Sequence, residues 1–136
     1  MDLKLVPIPS SALEGTEPEW MPFVTAIARR IRCHPEQLRQ QVLSNAVHVI
    51  LIWDNEAKKS VFLIGTQITL RGDDRIGELV WATGSLDGFA LFDELERYHR
   101  EHLGCAGMKA VARPGWSRLL KGKGYRVTHV VMEKDF

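Results

Sequence analysis

Residues 76–112 have the sequence IGELVWATGSLDGFALFDELERYHREHLGCAGMKAVA, which predicts a strand, a helix and a second strand in succession. The apolar run Ile76–Ala82 is typical of a strand, and Asp87–Leu103 carries apolar and aromatic side chains at helical spacing. Gly104 stands where the C-terminus of a helix favours glycine, and Met108–Ala112 follows as another strand. Because such crossovers join parallel strands with a right-handed connection, we predict that these two strands pair in parallel.

The flanking sequence predicts further elements on both sides of this crossover. Additional strands are expected at Leu3–Ile8, Val47–Trp53, Ser60–Leu70 and Tyr125–Met132. Additional helices are expected from Thr16 to Ile31, from Pro35 to Leu43, and from Pro114 onward. The predicted order is β-α-α-β-β-β-α-β-α-β, in one domain over residues 1–136. Since hairpin neighbours pair antiparallel, we expect an α+β fold with a mixed central sheet and helices on both faces.

The composition is that of a globular protein. The chain has 136 residues and a mass of 15.4 kDa, with 45% hydrophobic and 26% charged residues, which excludes disorder over most of its length. The central apolar run Val49–Trp53 is far shorter than the roughly 20 residues that span a bilayer, and no signal peptide is visible. Cys33 and Cys105 lie far apart and form no CxxC motif. We therefore expect reduced thiols and a cytoplasmic location.

Charged residues are unevenly distributed along the chain. The totals nearly cancel, with 18 basic and 17 acidic residues, yet no acidic residue lies between Glu101 and Glu133. That stretch contains the basic residues Lys109, Arg113, Arg118, Lys121, Lys123 and Arg126. Such a block is either a solvated face or a surface that meets phosphate groups or an acidic protein partner.

Three stretches resemble the GCN5-related N-acetyltransferase family. They are Glu78–Ala90, Met108–Ala112 and Trp116–Tyr125, the last being similar to the family's final helix and the glycine–aromatic pair that follows it. Together with the predicted order of elements, the resemblance covers essentially the whole chain and implies that fold. Gly104-Cys105 and the sequence ARPGW at 112–116 also resemble small acetyltransferase-like proteins encoded by bacteriophages.

The resemblance implies an acetyl-CoA site at the loop before the long helix. In the family, a loop of pattern Arg/Gln-x-x-Gly-x-Gly/Ala offers its backbone amides and the helix N-terminus to the pyrophosphate. Here the pattern falls on Ser85 to Ala90: Ser85 lacks the reach of Arg or Gln, and Asp87 adds a negative charge. The implied cofactor-binding residues are Trp81, Thr83, Ser85, Gly88, Phe89, Ala90 and Arg118. Alternatively, Ser85 or Asp87 caps the helix and Trp81 belongs to the core.

The resemblance also implies a transfer mechanism, in which a carboxylate deprotonates an amine that attacks the thioester of acetyl-CoA. Glu78 is the candidate base, and a solvent-facing strand carboxylate is the alternative. A tyrosine in the last helix often protonates the leaving thiolate in this family, but this chain has Leu120 at that position and Arg113 at the usual asparagine. Tyr125 fills the aromatic position after the final glycine, where we expect it to be core.

Two functional hypotheses follow from the resemblance. The first is a divergent acyl-CoA-dependent N-acyltransferase that transfers an acetyl group to an unidentified amine or protein acceptor. It predicts a vacant cleft between the strands Ile76–Ala82 and Met108–Ala112, with unpaired amides near Gly88. The second is a catalytically inactive phage protein that acts in virion assembly or on a host protein. It predicts that aromatic side chains fill the cleft, namely Phe89, Trp81 or Trp116.

Other chemistries find less support in the sequence. His99 and His102 are three residues apart on the predicted helix, but no third ligand accompanies them, so we predict no metal site. The chain has neither a Gly-x-Ser-x-Gly elbow nor a phosphate-binding P-loop. A third hypothesis, the least favoured, is a nucleic-acid-binding accessory that uses the basic C-terminal block and stacking on Trp116.

Overall fold

The structure of the protein, a computed structural model, describes residues 1–112 and 114–136. The strands are β1 (Leu3–Pro7), β2 (His48–Asp54), β3 (Lys59–Arg71), β4 (Asp74–Gly84) and β5 (Cys105–Ala110). Within the described residues they form one sheet in the order β1-β2-β3-β4-β5. The pairings from β1 to β4 are antiparallel, and β4 pairs with β5 in parallel. The mixed sheet and its parallel crossover are therefore confirmed.

Helices cover both faces of this sheet. The α-helices of the described residues are α1 (Glu17–Ile31), α2 (Pro35–Leu43), α3 (Phe92–Glu101) and α4 (Pro114–Lys121). Short 3₁₀ helices occur at Ser10–Ala12 and Leu86–Leu91. One buried cluster joins α1 and α2 to the sheet, and a second joins α3 and α4 to its other face. The predicted α+β class with helices on both faces is confirmed.

The first core forms because one stripe of α1 is apolar. Trp20, Val24 and Ile27 recur at helical spacing and are buried against the sheet. The indole Nε1 of Trp20 donates a hydrogen bond to the carbonyl oxygen of Leu13 at 2.9 Å, so this buried polar group is satisfied. The amphipathic pattern of α1 therefore fixes which side of the helix faces the sheet.

The second core uses the opposite side chains of the same strands. Along β2, Val49 and Leu51 belong to the first cluster, whereas Ile50 and Ile52 belong to the second. Side chains alternate between the faces of a strand, so a continuous apolar run is what a strand covered on both faces requires. On the helical side, the second cluster is completed by Phe92, Leu95 and Leu120.

A bulge in β4 interrupts the alternation of side chains between the two faces of the sheet. It lies directly after Leu79, where the pairing of β4 with β5 ends. Gly65 of β3 lies opposite Trp81 and Thr66 lies opposite Leu79, so Val80 is the extra residue. As a result, Leu79 packs in the second cluster while Val80 and Trp81 pack in the first. The Trp81 ring lies over Gly65, where an added Cβ would come within 2.8 Å of its Cε3 atom.

The predicted last strand, Tyr125–Met132, is wrong. Residues 125–136 have no regular secondary structure. Tyr125 itself packs, with its ring centroid 5.8 Å from that of Phe92, but beyond it the side chains are exposed, including 78% of Val130. A β-branched sequence favours a strand only where a neighbouring strand can bind it, and none of the described strands lies beside this segment.

Two other predicted boundaries also need correction. The helix expected over Asp87–Leu103 is divided into the 3₁₀ helix Leu86–Leu91 and α3, because the first part turns tightly enough to bring Gly88 against Phe62. The strand expected at Met108–Ala112 begins earlier, directly after Gly104, whose positive φ of 67° turns the chain out of the helix.

None of the helices in the described part of the chain is long and apolar enough to cross a membrane.

Candidate functional site

The two parallel strands separate beyond Leu79, and their separation opens a cleft. Their pairing ends where Leu79 faces Ala110, whereas β4 continues to Gly84. A cavity of about 260 Å³ lies in this gap. It is lined by Ile27, Arg30, Ile31, Leu79, Val80, Trp81, Ala82, Ala110, Val111, Ala112, Trp116 and Leu120. The cavity lies where the acyltransferase hypothesis predicts a cleft between these two strands.

The cleft is small and its lining is largely apolar. Among the described residues that line it, Arg30 is the one with a formal charge, and its Nη2 atom donates to the carbonyl oxygen of Ala82 at 3.4 Å. The volume is slightly below the roughly 300 Å³ at which pockets for small molecules usually begin. The gap therefore suits a slender chain better than a bulky head group.

The backbone of β4 is available to a ligand in this gap. Up to Leu79 the strand is bound on both sides, but beyond it none of the described strands pairs with the edge that faced β5. An open strand edge offers N–H and C=O groups to any ligand that carries amides. The cleft thus combines apolar walls with a polar edge.

Tryptophans form the walls of the cleft without filling it. Trp81 is 8% exposed and packs in the first core, as its core alternative predicts. Trp116 packs in the second core, with its ring centroid 5.7 Å from that of Phe89 and 6.3 Å from that of Phe62. Both tryptophans line the cavity, and about 260 Å³ remains between them and the other lining residues.

Glu78 lies one residue before the part of β4 that lines the cleft. Its cross-strand neighbours are Gln67 of β3 and Lys109 of β5. The Oε2 atom of Glu78 is 3.7 Å from the ammonium of Lys109, and a quarter of the Glu78 side chain is exposed. A partly exposed pair at this distance contributes little to stability. The exposed quarter of the Glu78 side chain gives water access to this residue.

The predicted phosphate loop is wound into the 3₁₀ helix Leu86–Leu91. Ser85 caps it, since its Oγ accepts from the amide of Asp87 at 3.4 Å and donates to the Asp87 carboxylate at 3.0 Å. The amide of Gly88 donates to the Ser85 carbonyl at 3.0 Å. The expectation of unpaired amides is thus wrong for Asp87 and Gly88, and the capping alternative for Ser85 is confirmed.

The other predicted loop residues lie around this turn. Gly88 is buried against Phe62, Phe89 is half-buried, and Ala90 is exposed. Thr83 lies on β4 opposite Leu63, between the cleft and the turn. Of the predicted cofactor-binding residues, the fold therefore brings Trp81 to the cleft. Thr83 and the residues from Ser85 to Ala90 lie at the end of β4 and in the turn that follows it, and Arg118 lies on α4.

Acidic side chains already lie at the N-terminus of α3, where the positive end of the helix dipole is located. Asp93 and Glu94 stand in its first turn, where the helix dipole favours acids. The ammonium of Lys123 is 3.1 Å from the Asp93 carboxylate and 5.8 Å from the centre of the Phe89 ring. Arg118, by contrast, is exposed on α4. Because carboxylates already occupy this helix end, an added phosphate would have to be met by basic side chains.

Both tyrosines are engaged away from the cleft. The Tyr125 hydroxyl donates to the Glu96 carboxylate at 3.1 Å, and burial raises its pKa, which agrees with the expected core position. The Tyr98 hydroxyl lies 2.9 Å from Nε2 of His48. Arg113, which matches the family's asparagine, lies outside the described residues. Among the described residues that line the cleft, none offers a proton to a leaving group at neutral pH.

Two features of the cleft could not be found from the sequence: the contact of Arg30 with Ala82 and the bulge at Val80. Arg30 belongs to the last turn of α1, where a basic residue has an ordinary explanation in the helix dipole. Its contact with Ala82 joins residues 52 positions apart, and no local pattern announces such a contact. The bulge likewise depends on the register between β3 and β4.

The fold is similar to those of solved acetyltransferases. A putative acetyl transferase from Pyrococcus furiosus matches with a TM-score of 0.69 at 15% identity, over 99% of this chain and 100% of that one. Ribosomal-protein-alanine N-acetyltransferase from Brucella melitensis biovar Abortus 2308 matches with a TM-score of 0.69 at 12% identity, over 98% of each chain. AAC(6′)-Iy, solved in complex with the bisubstrate analogue CoA-S-monomethyl-acetylneamine, matches with a TM-score of 0.69 at 12% identity, over 100% of this chain and 99% of that one.

No family model matches the sequence, and neither does any curated protein. The likeness is therefore one of structure, and it extends over nearly the full length of both chains in each pair. Together with the parallel crossover and the cleft beyond Leu79, it shows that this chain has the fold of the GCN5-related N-acetyltransferases.

Proposed function

We propose that the protein is an acyl-CoA-dependent N-acyltransferase and that the cleft beyond Leu79 receives the thioester arm of acetyl-CoA. The cleft is the observation that carries the proposal. The pantetheine arm is a slender chain with amide groups, and the gap offers apolar walls and an open strand edge of matching character. The AAC(6′)-Iy complex with a CoA analogue, in a protein of the same fold, supports this assignment.

In this proposal, side chains bind the phosphates of CoA in place of backbone amides. The amides of Asp87 and Gly88 already have partners. In this proposal, the loop from Ser85 to Ala90 therefore packs beside the pantetheine arm and offers it few hydrogen-bond donors. Arg118 is exposed on the helix that also carries Trp116 of the cleft wall. Because a guanidinium binds phosphate in a bidentate manner, we propose Arg118 as the ligand of the CoA phosphates.

Glu78 acts as the base. The amine nitrogen attacks the thioester carbonyl, and its proton passes to the Glu78 carboxylate directly or through one water. The C–S bond then breaks, and the thiolate takes its proton from solvent, since none of the described cleft residues is an acid. Lys109 orients the Glu78 side chain from the neighbouring strand.

The first test is a titration with acetyl-CoA followed by amide chemical shifts. We expect saturable shifts from Val80 through Ala90, and at Ala110 and Val111 on the opposite wall. Desulfo-acetyl-CoA analogues that retain the pantetheine arm should shift the same amides. An unchanged spectrum at millimolar acetyl-CoA contradicts the proposal.

A matched pair of variants tests whether the cleft is the binding site. Ala112 lines the cavity and is exposed, so Ala112→Trp fills the gap with little cost to the core. We expect this variant to weaken acetyl-CoA binding at least tenfold, as measured by calorimetry. Ala106→Trp adds the same side chain to an exposed position of β5 outside the cleft and should bind as the wild type does. Equal affinities for the two variants would place the site elsewhere.

A non-enzymatic role on the same scaffold is the second candidate. The engaged amides of the loop and the carboxylate of Asp93 at the start of α3 favour it, because both remove features that bind the CoA pyrophosphate. In this case the protein, in line with its looser phage resemblance, binds a virion or host protein. It predicts no acetyl-CoA shifts, whereas a nucleic-acid role predicts binding that weakens steeply with salt and on Arg118→Ala.

A further inference from the structure

An ion pair between two neighbouring strands lies at the closed end of the cleft. Glu78 of β4 and Lys109 of β5 are partners in the parallel register, and the Lys109 ammonium is 3.7 Å from the Oε2 atom of Glu78. Each of the two residues comes directly before one that lines the cavity, namely Leu79 on β4 and Ala110 on β5. An amine of the chain itself therefore lies beside the proposed base, at the point where the two strands separate.

The pair lies on the face of the sheet that α1 covers. Leu79 and Met108 pack in the second core, on the side of α3. Because successive side chains of a strand point to opposite faces, Glu78 and Lys109 lie on the side of α1. Val80 packs on this same side and lines the cavity. The amine and the carboxylate thus share a face of the sheet with a wall of the cleft.

The Lys109 side chain has the freedom to leave this pair. It is 58% exposed, and a partly exposed ion pair is too weak to hold either side chain in one position. Lysine carries its ammonium on a flexible aliphatic stem. The cavity begins at the next residue of the strand, a rise of about 3.3 Å, which lies within the reach of that stem. The amine can therefore turn from the carboxylate to a thioester in the cleft.

We propose that Lys109 is a modification site, acetylated within its own chain by the acetyl-CoA that occupies the cleft. This inference rests on the proposed function. Glu78 takes a proton from the ammonium and passes it to water, and the lone pair of Nζ then attacks the thioester carbonyl carbon. The C–S bond breaks, the nitrogen loses a second proton to Glu78, and the thiolate takes one from solvent. The products are Nε-acetyl-lysine at position 109, CoA and one released proton.

Other lysines of the chain are placed less favourably. The Lys123 ammonium is 3.1 Å from the Asp93 carboxylate and lies over the Phe89 ring. Lys4 is exposed on β1, at the opposite edge of the sheet from β5. A thioester also acylates any exposed amine slowly without a catalyst, so Lys4 reports this background reaction. Preference for Lys109 over Lys4 is therefore the signature of transfer from the cleft.

Acetylation also changes the surroundings of the proposed base. It converts the ammonium into a neutral amide and so removes the ion pair with Glu78. It adds a methyl group beside Ala110, where β5 enters the wall of the cleft. The modification thus alters the charge and the shape of the site and leaves the Glu78 carboxylate in place.

Incubation with acetyl-CoA followed by peptide mass spectrometry tests the proposal. We expect acetylation of Lys109 to saturate with acetyl-CoA and to be about a hundredfold faster than that of Lys4, since a positioned base contributes at least this factor. Glu78→Gln keeps the shape of the side chain and should slow acetylation of Lys109 by a similar factor, with Lys4 unchanged. Equal rates at the two lysines, or an unchanged rate at Lys109 in Glu78→Gln, would overturn the proposal.

Two controls show where the acetyl group comes from. Ala112→Trp fills the cleft and should abolish the preference for Lys109, whereas Ala106→Trp, outside the cleft, should retain it. In a mixture of wild type and isotope-labelled Glu78→Gln, the labelled chain should stay unmodified at Lys109, because the transfer occurs within one chain. Acetylation of the labelled chain at the wild-type rate contradicts the assignment.

The chemical-shift titration with acetyl-CoA separates failure of this inference from failure of the proposed function. If acetyl-CoA shifts the amides of the cleft and Lys109 reacts no faster than Lys4, the modification site is wrong and the acyltransferase proposal stands. If acetyl-CoA leaves the spectrum unchanged, both are wrong.

Discussion

His99 shows how single residues hold this fold together. Its side chain is fully buried, and both ring nitrogens have partners: Nδ1 donates to the Leu95 carbonyl and Nε2 accepts from the Thr66 hydroxyl, each at 2.9 Å. The ring lies over Gly77, where an added Cβ would approach its Cδ2 atom to 2.7 Å. The neutral ring satisfies both contacts. A proton on Nε2 would reverse the second hydrogen bond, with the Thr66 hydroxyl as acceptor, and would place a charge in the buried core.

This arrangement predicts a loss of stability in mild acid. Burial lowers the pKa of His99 below its ordinary value of 6.5. As the pH falls below 6.5, the unfolded chain therefore gains a proton that the folded chain excludes, and the free energy of unfolding decreases by up to about 1.4 kcal/mol per pH unit. Urea denaturation at a series of pH values between 7.5 and 5.5 measures this slope.

The control for this prediction is a second histidine. His99→Gln should flatten the slope, although not fully, because burial also lowers the pKa of His48. His129→Gln changes an exposed residue of the C-terminal segment 126–136 and should leave the slope as in the wild type. If His99→Gln retains the wild-type slope, His99 is not the group whose protonation destabilises the fold.

At the scale of elements, two glycines should respond in opposite directions to alanine. In the 3₁₀ helix, a Cβ on Gly88 would lie 2.8 Å from Cβ and Cγ of Phe62, a core side chain with no room to move. We expect Gly88→Ala to destabilise the protein by about 1–3 kcal/mol. Gly115 in α4 has nothing within 4 Å of an added Cβ, so Gly115→Ala should stabilise it by about 0.4–1 kcal/mol. Thermal denaturation that ranks Gly88→Ala as the more stable variant would refute this view of the turn.

Local patterns predicted the elements that carry their own signal. The apolar stripe of α1 and the continuous apolar run of β2 indicated both the type of element and the buried faces. Tyr125–Met132 has an equally strong strand signal, but a strand also needs a neighbour, and sequence does not show whether one is present. The expectation of unpaired amides near Gly88 was wrong for a related reason, since the amides of Asp87 and Gly88 bind Ser85 within the turn itself.

At the scale of the whole molecule, the candidate site results from long-range arrangement. The cleft exists because β4 continues beyond the last residue that pairs with β5. The bulge at Val80 places Leu79 and Trp81 in different cores. Sequence predicted the gap through the family resemblance alone, and the contact of Arg30 with Ala82 could not be predicted from it. Val111 lines the cleft and is 78% exposed, so the cleft borders solvent just beyond the end of β5.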